Sequence, residues 1–93
     1  MVVGALQVRL LVRESRSLKD KRKVVRSILD RVRHEFNVSA AEVDALDDHR
    51  LAVLGFTMVG WDAANVREEL QRIAEGLRRH PVAEFVGCEL KID

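Results

Sequence analysis

The segment Ser17–Phe36, SLKDKRKVVRSILDRVRHEF, carries two patterns on which the fold and the function of this chain depend. Ser17 is a good helix N-cap, and Asp20 stands three residues later, as in a short capping box. At about 100° per residue, the apolar side chains gather on one side, which predicts an amphipathic helix packed on a core. These side chains are Leu18, Val25, Ile28, Leu29, Val32 and Phe36. Asn37 is expected to end the helix in the left-handed conformation.

The opposite side of this helix is strongly positive. Five cations fall within an arc of about 100° and are called the basic stripe here: Lys19, Arg22, Lys23, Arg26 and Arg33. Arg16 and Lys21 adjoin the basic stripe and are expected to assist it. Cations are disfavoured at the positive end of a helix dipole, so their position favours a functional explanation. A solvated charged face is the simpler interpretation and carries about equal weight.

The charges of the whole chain are unevenly distributed. The net charge of the 93 residues is only +1 at pH 7. Between Arg13 and His34, however, nine basic residues stand against three acidic ones. Between Glu35 and Arg50, one basic residue stands against five acidic ones. This separation favours an anionic partner for the first of the two segments.

Four segments have the patterns of β-strands. Val2–Val12 alternates between apolar and polar residues, the period of a half-buried strand. Val38–Ala45 is weaker, and its charges suggest a sheet edge. Leu51–Val59 is apolar on both parities, which predicts a central strand covered on both sides. Val82–Ile92 alternates again and predicts the last strand.

A second helix completes the pattern. It is expected to begin at the N-cap Asp62, to face inward through Val66, Leu70, Ile73 and Leu77, and to stop at His80-Pro81. The order β-α-β-β-α-β predicts an α+β fold, with residues 1–93 as a single ferredoxin-like domain. Such a domain is a sandwich in which a four-stranded antiparallel sheet carries both helices on one face.

The sheet face away from the helices is expected to carry an apolar patch. Its predicted members are Val3, Ala5, Leu11, Phe56 and Phe85. A patch of this kind favours self-association, so a homodimer is predicted. The alternative is that flanking side chains and Trp61 fold over the patch.

Few residues suggest catalysis. The glycines are isolated and form no phosphate-binding loop, and no catalytic residues, cofactor or metal ligands are assigned. Asp44, Asp47, Asp48 and His49 form a polar turn, which is a hairpin more readily than a cation site. Met1–Val12 lacks the features of a signal peptide, and no stretch approaches the roughly 18 apolar residues of a membrane span. A cytoplasmic protein without membrane contact is therefore expected.

Three stretches resemble one known family. SLKDKRKVV at Ser17–Val25, FNVSAAEVD at Phe36–Asp44 and AVLG at Ala52–Gly55 are similar to the YlxP-like family, small bacterial proteins with a domain of unknown function numbered 503. The resemblance covers the full chain and implies a ferredoxin-like sandwich. Because the family is often encoded beside translation and ribosome-maturation factors, it also implies a role related to RNA. It implies no catalytic residues.

Two functions follow as hypotheses. The first is a non-enzymatic protein that binds structured RNA or a ribosomal particle through the basic stripe, with Arg16 and Lys21. Base recognition on the sheet, as in RNA-recognition motifs, is not expected, because the first strand has no aromatic residue and the third strand has only Phe56. The second is a homodimeric protein-interaction or regulatory module that binds no nucleic acid. An enzyme that uses the acidic turn and a metal ion is the least favoured reading.

Overall fold

The elements occur in the predicted order, and the computed structural model describes every residue from Met1 to Asp93. The elements are β1 (Val2–Leu11), α1 (Leu18–Glu35), β2 (Ser39–Asp44), β3 (Leu51–Gly60), α2 (Ala63–Arg78) and β4 (Glu84–Ile92). The strands form one antiparallel sheet in the order β2-β3-β1-β4, with both helices packed on one face. The predicted ferredoxin-like α+β arrangement is confirmed. Neither helix is long and apolar enough to cross a bilayer.

The core lies between the helices and the sheet because alternate strand residues face the helices. In β1, Leu6 and Val8 are fully buried and lie opposite Phe56 and Leu54 of β3. The helices complete the core with Val25, Ile28, Leu29 and Val32 from α1 and Val66, Leu70, Ile73, Ala74 and Leu77 from α2. Each large side chain buried in this way stabilises the fold by about 1.5–3 kcal/mol relative to full exposure.

Gly4 allows α2 to lie directly on β1. A Cβ atom at this position would stand 2.5 Å from Val66 Cγ1 and 2.7 Å from Leu70 Cδ1. Those distances are far shorter than ordinary contact, so any larger residue would push α2 away from the sheet.

The structure corrects two expectations about the elements. The C-cap of α1 is Phe36 in extended conformation, and the only non-glycine residue with positive φ is Ala45, at 56°. Asn37 is therefore not a left-handed cap. The edge position predicted for β2 is confirmed. The strand β3 is central, but it is not covered on both sides, since Thr57 and Val59 are exposed.

The expected positions of Phe56 and Phe85 on the face away from the helices are wrong. Phe56 lies opposite Leu6 and is only 2% exposed, inside the core. Phe85 lies opposite Leu10 and packs against the core, because the pairing of β1 with β4 shifts between Arg9 and Leu10. A bulge at this point reverses the parity of the strand before it, which simple alternation does not anticipate.

Candidate functional site

The start of α1 fixes the position of the basic stripe. Ser17 Oγ accepts a hydrogen bond from Asp20 N at 3.1 Å, as the capping box predicts. Asp20 Oδ2 in turn accepts from Arg16 N at 3.0 Å, one residue before the usual donor. This carboxylate also balances the positive end of the helix dipole. The first turn of α1 is therefore held firmly although it carries several cations.

Four residues of the basic stripe are free at the surface. Lys19, Arg22, Lys23 and Arg26 are exposed, and none of them forms an ion pair. The side chain of Arg16 is also exposed and without an ion pair. Lys19 and Arg26 are separated by about 10 Å along the helix axis, because each residue rises about 1.5 Å. These five exposed side chains lie on the N-terminal half of α1 and on the residues just before it.

Lys21 does not belong to this surface, and its expected role as an RNA contact is wrong. The side chain is fully buried. Its Nζ donates to Ala45 O at 2.9 Å and to Leu51 O at 3.0 Å, and it lies 2.9 Å from Glu42 Oε2. That oxygen accepts no hydrogen bond, so the contact with Glu42 is an ion pair. Lys21 thus fastens α1 to both sides of the turn that joins β2 to β3.

Arg33 is also occupied by contacts within the chain. Its guanidinium donates to Asp30 Oδ1 at 3.2 Å and to Ala40 O at 2.6 Å. The first contact offsets its charge, and the second attaches the end of α1 to β2. Arg33 is therefore a weaker candidate for binding a partner than the other four residues of the basic stripe.

The second helix has a different charge pattern. Arg72 lies 3.8 Å from Glu68 and 3.7 Å from Glu69. Arg78 pairs with Glu75 at 3.5 Å. Basic and acidic side chains alternate along α2, so the accumulation of unpaired cations in a single stripe is a property of α1.

The sheet face away from the helices, called the open face here, combines small and apolar residues with the charged residues Glu89 and Lys91. Val3, Ala5 and Leu11 lie on it, as predicted, beside exposed Thr57 and Val59. A depression of about 460 Å³ crosses its middle, where the strands carry small residues. Its small residues are Ala5, Ser39, Ala41, Gly55 and Thr57. Trp61 is 89% exposed and therefore does not cover this face.

The acidic turn is occupied by its own backbone. Asp48 Oδ1 accepts from both Leu51 N and Arg50 N at 2.8 Å, and these hydrogen bonds lower the pKa of the Asp48 carboxyl. Asp44 Oδ1 accepts from Ala45 N at 2.7 Å. These carboxylates shape the β2–β3 hairpin in the way that aspartates commonly shape turns.

His80 closes the turn between α2 and β4. Its Nδ1 accepts hydrogen bonds from Val82 N at 3.2 Å and from Ala83 N at 3.1 Å, so this nitrogen carries no proton. Partial burial, together with the charge of Arg31, lowers the pKa of His80 below its ordinary value of 6.5. The hydrogen bonds of this turn therefore require the neutral form of the His80 ring.

The free energy of unfolding is therefore expected to fall as the pH drops below about 6.5. The pKa of His80 is lower in the folded chain, so the unfolded chain takes up the proton first and is favoured by acid. Urea unfolding at neutral and mildly acidic pH would show the loss in wild type and in His34→Ala, whose ring is exposed, but less in His80→Ala. An equal loss in all three proteins would contradict this assignment.

Comparison with known proteins places the chain in a family. Residues 3–90 match the model of the family described as "Protein of unknown function (DUF503)". The uncharacterized protein YlxP of Bacillus subtilis (strain 168) is 30% identical over 83 residues, which cover 89% of this chain and 90% of that protein. Among solved structures, the de novo designed protein Foldit4 superposes with a TM-score of 0.53 at 19% identity, covering 99% of this chain and 94% of that one. The last similarity concerns the fold alone. This chain belongs to the DUF503 family, a family of proteins of unknown function.

Proposed function

We propose that this protein binds structured RNA or a ribosomal particle through the exposed part of the basic stripe, in a non-enzymatic role in the cytoplasm. The residues that would contact phosphates are Arg16, Lys19, Arg22, Lys23 and Arg26. The observation that carries the proposal is that none of these cations is paired within the chain, whereas Arg72 and Arg78 of α2 are. Lys21 is excluded from the set because it is buried.

Keeping these cations together on one face of α1 is electrostatically unfavourable. They repel one another, and those in the first turns of α1 oppose the helix dipole. A phosphate backbone would relieve both effects and would release condensed counterions. Phe56 and Phe85 face the helices, so the open face has no aromatic side chain on which bases could stack. This supports contact with the phosphate backbone on α1 and does not support base recognition on the sheet.

Reversing two charges of the basic stripe is expected to weaken RNA binding about tenfold or more. The double variant Lys23→Glu/Arg26→Glu would be compared with wild type by fluorescence anisotropy of a labelled RNA hairpin. The control Arg50→Glu/Arg67→Glu makes the same change of net charge at exposed residues outside α1 and outside the open face that form no ion pair. Equal loss in both variants would show that only net charge matters, and would contradict a site on α1.

The open face supports a second proposal, a homodimeric interaction or regulatory module that binds no nucleic acid. The observation in its favour is an uncovered apolar surface, on which Val59 is 58% exposed and Val3 and Leu11 are partly exposed. Two copies that pack through this face would bury these side chains and deepen a small core. A homodimer through the open face would leave α1 uncovered, since α1 lies on the opposite side of the sheet, so the two proposals differ only in whether nucleic acid is bound.

The oligomeric state tests the second proposal. Light scattering is expected to give twice the chain mass of 10.6 kDa for wild type. Ala5→Arg places a charge at an exposed position of the open face and is expected to return the mass to that of one chain. A wild-type mass of one chain at high concentration would exclude the homodimer.

A further inference from the structure

A second concave site lies between the two helices, away from the basic stripe. It is called the interhelical cleft here and has a volume of about 370 Å³, within the usual range for small-molecule sites. α1 contributes Arg31 and Glu35 to its wall, and α2 with the following turn contributes Arg72, Arg79 and His80. Neither hypothesis drawn from the sequence involves this cleft.

The rim of the interhelical cleft is positive, and its arginines have N–H groups that are not engaged in close contacts within the chain. Arg79 forms no ion pair. Arg31 lies 3.6 Å from Glu35, and Arg72 lies 3.7 Å from Glu69, both beyond good hydrogen-bond distance. Three guanidinium groups therefore stand around one acidic side chain of the cleft. Arginine is well suited to this position because its planar group binds phosphate or carboxylate through two donors and also stacks on flat rings.

The floor of the interhelical cleft is apolar. The floor is formed by Ile28, Val32, Phe36, Ile73 and Leu77. Gly76 of α2 also lines the cleft but is exposed, and a Cβ atom built there would meet nothing within 4 Å. Packing therefore does not require glycine at this position, although glycine inside a helix is unfavourable by about 1 kcal/mol relative to alanine. Because glycine has no side chain, a ligand in the cleft could approach the backbone of α2 closely at this position.

We propose that the interhelical cleft binds a small organic anion with a flat apolar ring, the chemistry of a nucleoside monophosphate. The ring lies on the apolar floor against Gly76, and the anionic group is held by Arg79 and Arg31. Arg72 closes the other side of the cleft. His80, whose Nδ1 is occupied by Val82 N and Ala83 N, keeps Nε2–H as a further donor.

Calorimetric titration of the full chain with AMP, adenosine and inorganic phosphate tests the proposal. AMP is expected to bind at least about tenfold more tightly than adenosine or phosphate, because each of these engages only one half of the cleft. Gly76→Leu should weaken AMP binding by about tenfold or more while the thermal midpoint stays equal or rises, since leucine favours helix more than glycine does. Its control is Gln71→Leu, an exposed position of α2 outside the cleft.

Charge variants separate this cleft from the basic stripe. Arg79→Gln is expected to weaken AMP binding about tenfold, whereas Arg67→Gln, outside the cleft, and the stripe variant Lys23→Glu/Arg26→Glu should leave it unchanged. Absence of saturable AMP binding at millimolar concentration would overturn the proposal. Binding that survives Gly76→Leu and Arg79→Gln would overturn it as well, and loss with the stripe variant would assign AMP to α1 instead.

Discussion

Replacing Lys21 by methionine is expected to lower the free energy of unfolding by about 3–5 kcal/mol. Methionine is similar in length but cannot donate a hydrogen bond. The carbonyl groups of Ala45 and Leu51 would lose the donor that they share, and Glu42, whose side chain is only 14% exposed, would lose its counter-charge. An uncompensated buried charge and two unpaired acceptors account for an effect of this size.

Urea denaturation measures this loss, and two further variants define its origin. Lys19→Met removes a neighbouring but exposed lysine and should change stability by no more than about 0.5 kcal/mol. Lys21→Met/Glu42→Leu removes both charges and should recover part of the loss, because a carboxylate no longer remains unpaired. A loss below about 1 kcal/mol for Lys21→Met would contradict the conclusion that the ammonium group of Lys21 holds α1 to the β2–β3 hairpin.

Phe56→Ala is expected to destabilise the protein by about 3–5 kcal/mol, because Phe56 fills the core under the helices. The matched substitution on the other side of the sheet is Ala5→Arg, which adds a charge to the open face and should change stability by less than about 1 kcal/mol. Thermal and urea unfolding at one low protein concentration would compare the two variants. A mild effect of Phe56→Ala combined with loss of self-association would contradict its position in the core and would return it to the open face.

The sequence predicts the architecture well because most of its elements alternate cleanly. The angular arrangement of α1 places Val25, Ile28, Leu29 and Val32 in the core, as the structure does, and Ser17 caps the helix as its position suggests. The same arrangement also indicates that Lys21 is buried. On the helical wheel Lys21 lies within about 40° of Val25, Ile28 and Val32, inside the apolar arc. A lysine at such an angle, with Glu42 available on a strand, indicates a buried ion pair more strongly than it indicates a surface contact.

Three features of the candidate sites depend on information that a single sequence does not contain. β3 is apolar on both parities, so its pattern does not say which side Phe56 faces until the pairing with Leu6 is known. The bulge that turns Phe85 toward the helices arises from pairing between β1 and β4. The interhelical cleft, likewise, brings Arg31 and Arg79 together from distant parts of the chain. Long-range pairing and packing decide all three features.

The salt dependence of RNA affinity tests the central proposal most directly. If four or five phosphates are neutralised by Arg16, Lys19, Arg22, Lys23 and Arg26, a plot of log affinity against log salt should have a slope of about −3 to −4. In Lys23→Glu/Arg26→Glu the slope should move toward zero by about 2. A wild-type slope near zero, or an unchanged slope in that variant, would contradict phosphate binding by the basic stripe.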